Sequence, residues 1–228
     1  VASKETSDDW LRSVGLQDMD VNSRCRQLYE YPGALAAMAG VLDKFTDVDD
    51  MIATQITTLQ TLRLLSANAS IRKQWCRNAM SMHVLNQMVS FLATVDAPVG
   101  TSTARSQSIC EAVLSVLKNL TASKENGLYL CSAELGLMLV LVRMIPNDDG
   151  QYSVQAQRTA CSIICNLAKL NCDEMYTVCK SASTPLIAAL CRTIDTDRTG
   201  ACVKVIEVFI MWIRQSAYRS LMMDLKNR

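Results

Sequence analysis

A single histidine, His83, stands in a chain of 228 residues, so any Ser-His-Asp or Cys-His catalysis would have to use it. It heads the apolar run Val84 to Val89, which places it at a helix start or partly inside a core rather than beside a nucleophile. Zinc is no better served, because one histidine and ten cysteines without a Cys-x-x-Cys pair offer no ligand spacing. Cys161 and Cys165 share a helical face, but both lie in apolar sequence, where core packing is the simpler use of a small thiol. Carboxylates gather at Asp47, Asp49 and Asp50 and at Asp148 and Asp149, each group just ahead of an amphipathic segment. Helix capping and the positive end of the helix dipole account for them without acid–base chemistry or calcium. Asn68-Ala69-Ser70 and Asn119-Leu120-Thr121 match the glycosylation tripeptide, yet one falls at a helix end and the other inside a helix. The expectation is a noncatalytic chain with no cofactor and no metal.

Composition sets the class of partner. Half the residues (50%) are hydrophobic, 5% are aromatic and the net charge is +1, as in an ordinary folded domain. Near-neutrality argues against a nucleic-acid partner held by phosphate neutralisation. Ten cysteines would staple a small secreted domain, but a chain of 228 residues can bury a core without staples. Reduced, buried cysteines, as at Cys110, Cys161, Cys165 and Cys202, point to a cytoplasmic chain, with cytoskeletal or nuclear association open to it. The longest apolar runs, Leu135 to Val142 and Val208 to Ile213, fall far short of a bilayer, so no membrane partner is expected. No N-terminal signal is visible, and a start at Val1 without methionine is expected of a piece of a longer protein.

The elements that position these residues repeat. Val113 to Ile145 contains Leu117-Lys118-Asn119-Leu120-Thr121, and Ala160 to Ile194 contains Ile164-Cys165-Asn166-Leu167-Ala168. In each, a second apolar segment follows 19 residues beyond the central leucine. Spacings of three and four among Ile52, Ile56, Leu59, Leu62 and Leu65, and again among Val113, Val116, Leu117 and Leu120, predict amphipathic helices. Nothing alternates long enough to be a strand. The fold class is therefore all-α, and self-similarity at this period predicts helical units that bury their apolar faces only against one another.

Breaks fall at 31–33, 96–102, 146–150, 181–185 and 195–200. Pro32 and Pro185 are expected to start helices, with Gly136 in the equivalent place of the third unit. The second segments align on Leu35, Leu85, Leu139 and Leu186, separated by 50, 54 and 47 residues, and Val95 to Ser106 is expected to be an inserted loop.

The stretch from Lys124 through Asn126-Gly127 to Gly136, followed by Leu139 to Val142 and then by Thr159 to Ala168, resembles one armadillo repeat. In that family each repeat has a short first helix, a second helix and a longer third helix ending in Asn-Leu-Ser or Asn-Leu-Ala. The resemblance spans about residues 25 to 227. It implies an armadillo-like right-handed superhelix of about three full three-helix repeats with partial terminal ones. Third helices are implied near 48–66, 104–121, 153–168 and 200–214. Residues 1–24 would form an N-terminal extension, partly disordered or capping, and 25–228 a single solenoid domain with Ser216 to Asn227 as its last cap.

In armadillo proteins the third helices line a concave groove, and the resemblance lends that role to the third helices here. Their bodies carry seven positive residues, Arg63, Arg105, Lys118, Arg158, Lys169, Lys204 and Arg214, against Glu111 and Glu207, a local excess of +5. Asn119 and Asn166 match the asparagine with which importin-like members hold peptide backbones. Ser115 and Ser162 stand where those members have tryptophan, and Leu64 and Trp212 interrupt the pattern in the outer helices. The implied function is a protein-interaction scaffold whose groove, formed by these basic residues with Asn119 and Asn166, takes an acidic extended or helical segment of a protein partner. One alternative is self-association, or docking on a cytoskeletal or centrosomal assembly, through Ile210, Trp212 and Met222 at the last repeat. Another is a regulator or exchange factor for a small nucleotide-binding protein, for which the family has precedent.

Overall fold

The computed structural model describes residues 20–43, 49–94, 104–132, 134–145, 152–170, 190–191, 194, 202–215, 219–220 and 223. Among them are ten α-helices, one 3₁₀ turn and no strand. The helices are α1 (Val21–Glu30), α2 (Ala34–Leu42), α3 (Asp49–Ala67), α4 (Ala69–Gln74), α5 (Ala79–Thr94), α6 (Ala104–Leu120), α7 (Lys124–Leu130), α8 (Leu137–Met144), α9 (Val154–Ala168) and α10 (Cys202–Arg214). The 3₁₀ turn, Trp75–Arg77, joins α4 to α5. The third helices implied by the family pattern match α3, α6, α9 and α10 to within two residues at either end.

Local chemistry sets several boundaries. Asp20 caps α1 by accepting from the Asn22 and Ser23 amides at 2.9 and 3.1 Å. Asn68 caps α4 in the same way, accepting from Ser70 and Ile71, and Asn78 opens α5 by accepting from Met80 and Ser81. Ser153 caps α9 through the Ala156 amide. Gly33 and Gly136 stand immediately before α2 and α8 with φ of 83° and 67°, a left-handed backbone that a side chain would strain.

Those glycines correct the expected helix starts. Pro32 lies in the turn ahead of α2 rather than in its first turn, and Gly33 makes the entry. Counting from the glycines moves one alignment as well. Leu35 lies two residues past Gly33 and is buried, and its counterpart two residues past Gly136 is the buried Met138, whereas Leu139 is 52% exposed. The expected loop Val95 to Ser106 ends sooner than supposed, since α6 begins at Ala104. Val21 to Arg24, assigned to the preceding extension, already belong to α1. Asp49 is the first residue of α3, while Asp47, Asp148 and Asp149 lie outside the described residues, as do Pro185, Leu186 and most of 216–227.

The helices fall into three ranks. Long helices pack serially, α3 on α6, α6 on α9 and α9 on α10. In a second rank α2 packs on α5 and α5 on α8, and in a third α4 packs on α7. Within each rank one helix thus meets the next, and a single apolar cluster runs from Cys25 to Trp212. Leu59, Leu62 and Leu65 of α3 and Val113, Leu114, Val116, Leu117 and Leu120 of α6 are fully buried. Each such side chain contributes roughly 1.5–3 kcal/mol relative to exposure, so an isolated trio would forfeit much of its core.

Candidate functional site

Asn119 and Asn166 occupy repeated positions and make repeated bonds. The Asn119 amide nitrogen donates to the Arg63 carbonyl and to Ser66 Oγ, each at 3.2 Å. One unit on, the Asn166 amide nitrogen donates to the Lys118 carbonyl at 3.5 Å and to Thr121 Oγ1 at 3.1 Å. Ser66 and Thr121 in turn donate to those same carbonyls, both at 2.9 Å. Each asparagine therefore ties the end of its own helix to the end of the helix before it. An amide side chain has two N–H donors, and both are spent here, leaving only Oδ1 toward a ligand. At the next step Ala168 stands where Ser66 and Thr121 stood and has no hydroxyl. The contact from α10 is made instead by Glu207, which accepts from Cys165 Sγ at 3.4 Å.

The basic residues of the long helices separate into two groups. Arg63, Lys118, Lys169 and Arg214 are exposed and form no close ion pair among the described residues, though Lys169 stands near enough to Glu207 to favour its carboxylate. Lys204 is engaged, its ammonium lying 3.0 Å from Glu207. The pair is reciprocal, since the Glu207 carboxyl is held below its ordinary range by Lys204 and then by Cys165, and the Lys204 ammonium is raised by Glu207. Arg158 is exposed on α9, and the Arg105 side chain lies outside the described residues. Of the two acidic residues counted in the helix bodies, Glu111 accepts from the Ser153 hydroxyl and Glu207 from the Lys204 ammonium, so both are engaged. Ser115 and Ser162 turn their hydroxyls back onto the Glu111 and Arg158 carbonyls of their own helices at 2.8 and 2.9 Å. No ring stands there to clamp an extended peptide.

Other groups capable of chemistry are dispersed. His83 is not at a helix start but in the second turn of α5, exposed, with Nε2 3.9 Å from Asp43 Oδ1. Asp43 already accepts from the Gln87 side-chain amide, and no hydroxyl or thiol bonds the imidazole among the described residues. A neighbouring open cleft of about 410 Å³ lies between α5, α7 and the turn before α8, crossed by the Tyr129 hydroxyl donating to Asn86 Oδ1 at 2.8 Å. Among the described residues no three His, Cys, Asp or Glu side chains gather as a metal site, and no helix is long and apolar enough to cross a membrane.

None of the eight cysteines among the described residues is in a disulfide; Cys25, Cys110, Cys161, Cys165 and Cys202 sit in α-helices and Cys76 in the 3₁₀ turn. Burial pushes the Cys76 thiol up to about 11 and the Cys110 thiol up to about 12, and it raises Cys25 and Cys165 as well. Thiolate, the reactive form, is therefore scarce at these positions at neutral pH. In timed iodoacetamide labelling read by peptide mass spectrometry, the exposed Cys191 should react first and Cys110 only as the protein unfolds. Equal rates at the two would contradict the buried placement.

The sequence analysis met Asn68 only in a glycosylation tripeptide and Asn126 only as part of the repeat pattern, and passed over Ser81. All three are buried and bridge elements. Asn68 donates to the Asn22 side chain at 3.2 Å, joining α4 to α1, and Ser81 accepts from Trp75 and bonds Tyr29. No protein-family model, no curated protein and no solved structure matches this chain.

Proposed function

We propose that this chain is an armadillo-like α-solenoid that works as a noncatalytic protein-binding scaffold, offering the exposed side of α3, α6 and α9 to an acidic segment of a partner. The reading rests on one observation: Arg63, Lys118 and Lys169 stand exposed near the ends of three successive stacked helices, and among the described residues none is ion-paired with a carboxylate, although Glu207 lies within electrostatic reach of Lys169. Cations at helix C-termini also complement the helix dipole, which explains the position but leaves the charged heads in water and available. The spent donors of Asn119 and Asn166 shift recognition away from the peptide backbone and toward charge. Side-chain carboxylates, presented by an extended or helical segment, are the complementary chemistry. Lys204, compensated by Glu207, contributes to this row less than its position suggests.

A fluorescein-labelled peptide rich in Glu and a matched Lys-rich peptide test the reading by fluorescence anisotropy. The Glu-rich peptide should bind, and binding should weaken with salt. Reversal of three exposed charges in Arg63→Glu/Lys118→Glu/Lys169→Glu should reduce affinity about tenfold or more, while Lys204→Ala should change it little. Equal affinity of the triple variant and the parent would remove the basis for the groove.

A further inference from the structure

Helix α10 is apolar on two sides. Val205, Val208 and Trp212 are buried, and the helix packs on α9, to which Glu207 is bonded through Cys165. Trp212, expected among the exposed contacts of this end, is thus part of the core, with its ring 6.1 Å from that of Phe209. Val203, Ile206, Ile210 and Ile213 stay 60%, 45%, 44% and 51% exposed. At 100° per residue they form a strip about 80° wide, centred roughly 150° round the helix from the buried three. The strip therefore faces away from the buried side of the helix. Both α6 and α9 have a long neighbour on each side, whereas α10 has only α9 among the described residues. Scattered exposed isoleucines need no explanation, but four β-branched residues at spacings of three, four and three match the seam of a two-helix coiled coil.

We propose that this strip pairs with the same strip of a second copy, the two α10 helices lying antiparallel across a twofold axis near residue 208. Spacings of three, four and three read the same in both directions. An antiparallel copy therefore sets Val203 against the partner's Ile213 and Ile206 against the partner's Ile210, leaving no strip residue without a counterpart. The charges permit it. Glu207, nearest the axis, is compensated by Lys204 of its own helix, and the two Arg214 residues lie about 18 Å apart along the helices. Four half-exposed side chains per copy make a patch below the roughly 1,200–2,000 Å² of a stable complex, so the pairing is weak and concentration-dependent.

Sedimentation equilibrium of the full chain, from micromolar to near-millimolar, should show mass rising from 25.2 kDa toward twice that value. Ile206→Glu/Ile210→Glu should stay monomeric over the same range and keep its melting temperature, because both positions are exposed. Val203→Lys and Ile213→Glu should each weaken pairing at least tenfold, and mixing them should restore a heterodimer, since the antiparallel register brings the two substitutions together. The triple charge reversal on α3, α6 and α9 should dimerise like the parent, which separates this interface from the groove. A parent that is monomeric throughout would overturn the proposal. An undiminished dimer in Ile206→Glu/Ile210→Glu, or mixing that restores nothing, would do the same.

Discussion

Trp75→Ala should lower stability by about 4 kcal/mol, the largest loss expected of any single truncation in this chain. Trp75 is fully buried in the 3₁₀ turn that reverses the chain between α4 and α5, so its removal opens a cavity that rigid helix ends cannot close. Its ring lies 6.0 Å from that of Tyr29 on α1, and its indole N–H donates to the Ser81 carbonyl at 3.1 Å. Tyr29 and Ser81 are themselves linked at 3.0 Å, so one side chain holds the first helices of two units and the start of a second helix together. Urea titration followed by circular dichroism measures the loss, and the melting temperature should fall by roughly 10 °C. Trp75→Phe keeps most of the ring and gives up the N–H bond, so it should cost only about 1–2 kcal/mol. A loss as small for alanine as for phenylalanine would mean that the turn collapses freely around the site.

The second large effect is expected at Asn126, a polar residue with no exposed surface. Its amide nitrogen donates to the Arg72 carbonyl at 2.7 Å and to the Leu120 carbonyl at 3.4 Å, while its Oδ1 accepts from the Cys76 amide at 3.3 Å. One side chain thus satisfies backbone groups at the end of α4, in the 3₁₀ turn and at the end of α6, across two successive units. Asn126→Leu keeps the γ-branched shape but is larger, strands the Cys76 amide and takes one bond each from the Arg72 and Leu120 carbonyls, which keep the Trp75 and Ser123 amides, and should cost about 3 kcal/mol. Asn126→Asp preserves the shape and the acceptor for Cys76 while turning a carboxylate toward two carbonyls, so it should be at least as damaging. Because Asp matches Asn in size, the comparison of Asp with the parent in the same unfolding assay separates the loss of the two donated bonds from packing. A leucine variant as stable as the parent would show that the network contributes nothing.

These two residues mark where sequence reasoning stopped. Nothing in the local pattern distinguishes Asn126 from a solvated asparagine, because its acceptors lie 54 residues earlier and six residues earlier, on other helices. His83 shows the converse. Its apolar successors suggested a partly buried place, yet the rotation of α5 between α2 and α8 turns it out toward Asp43. Leu139 was misaligned by one residue for a related reason, as the unit is phased by the left-handed glycine at 136 and not by the first matching leucine.

What the sequence determined by itself is the helical class, the four long helices and the unit length. These follow from apolar spacing of three and four and from the repeated Asn-Leu pair, both of which act within one or two turns of chain. Only the tertiary structure decided what the repeated asparagines and the basic residues do. Whether an amide donor is free, whether a cation has a carboxylate beside it and which side of α10 is covered depend on groups some fifty residues away. That is the separation at which one unit stacks on the next.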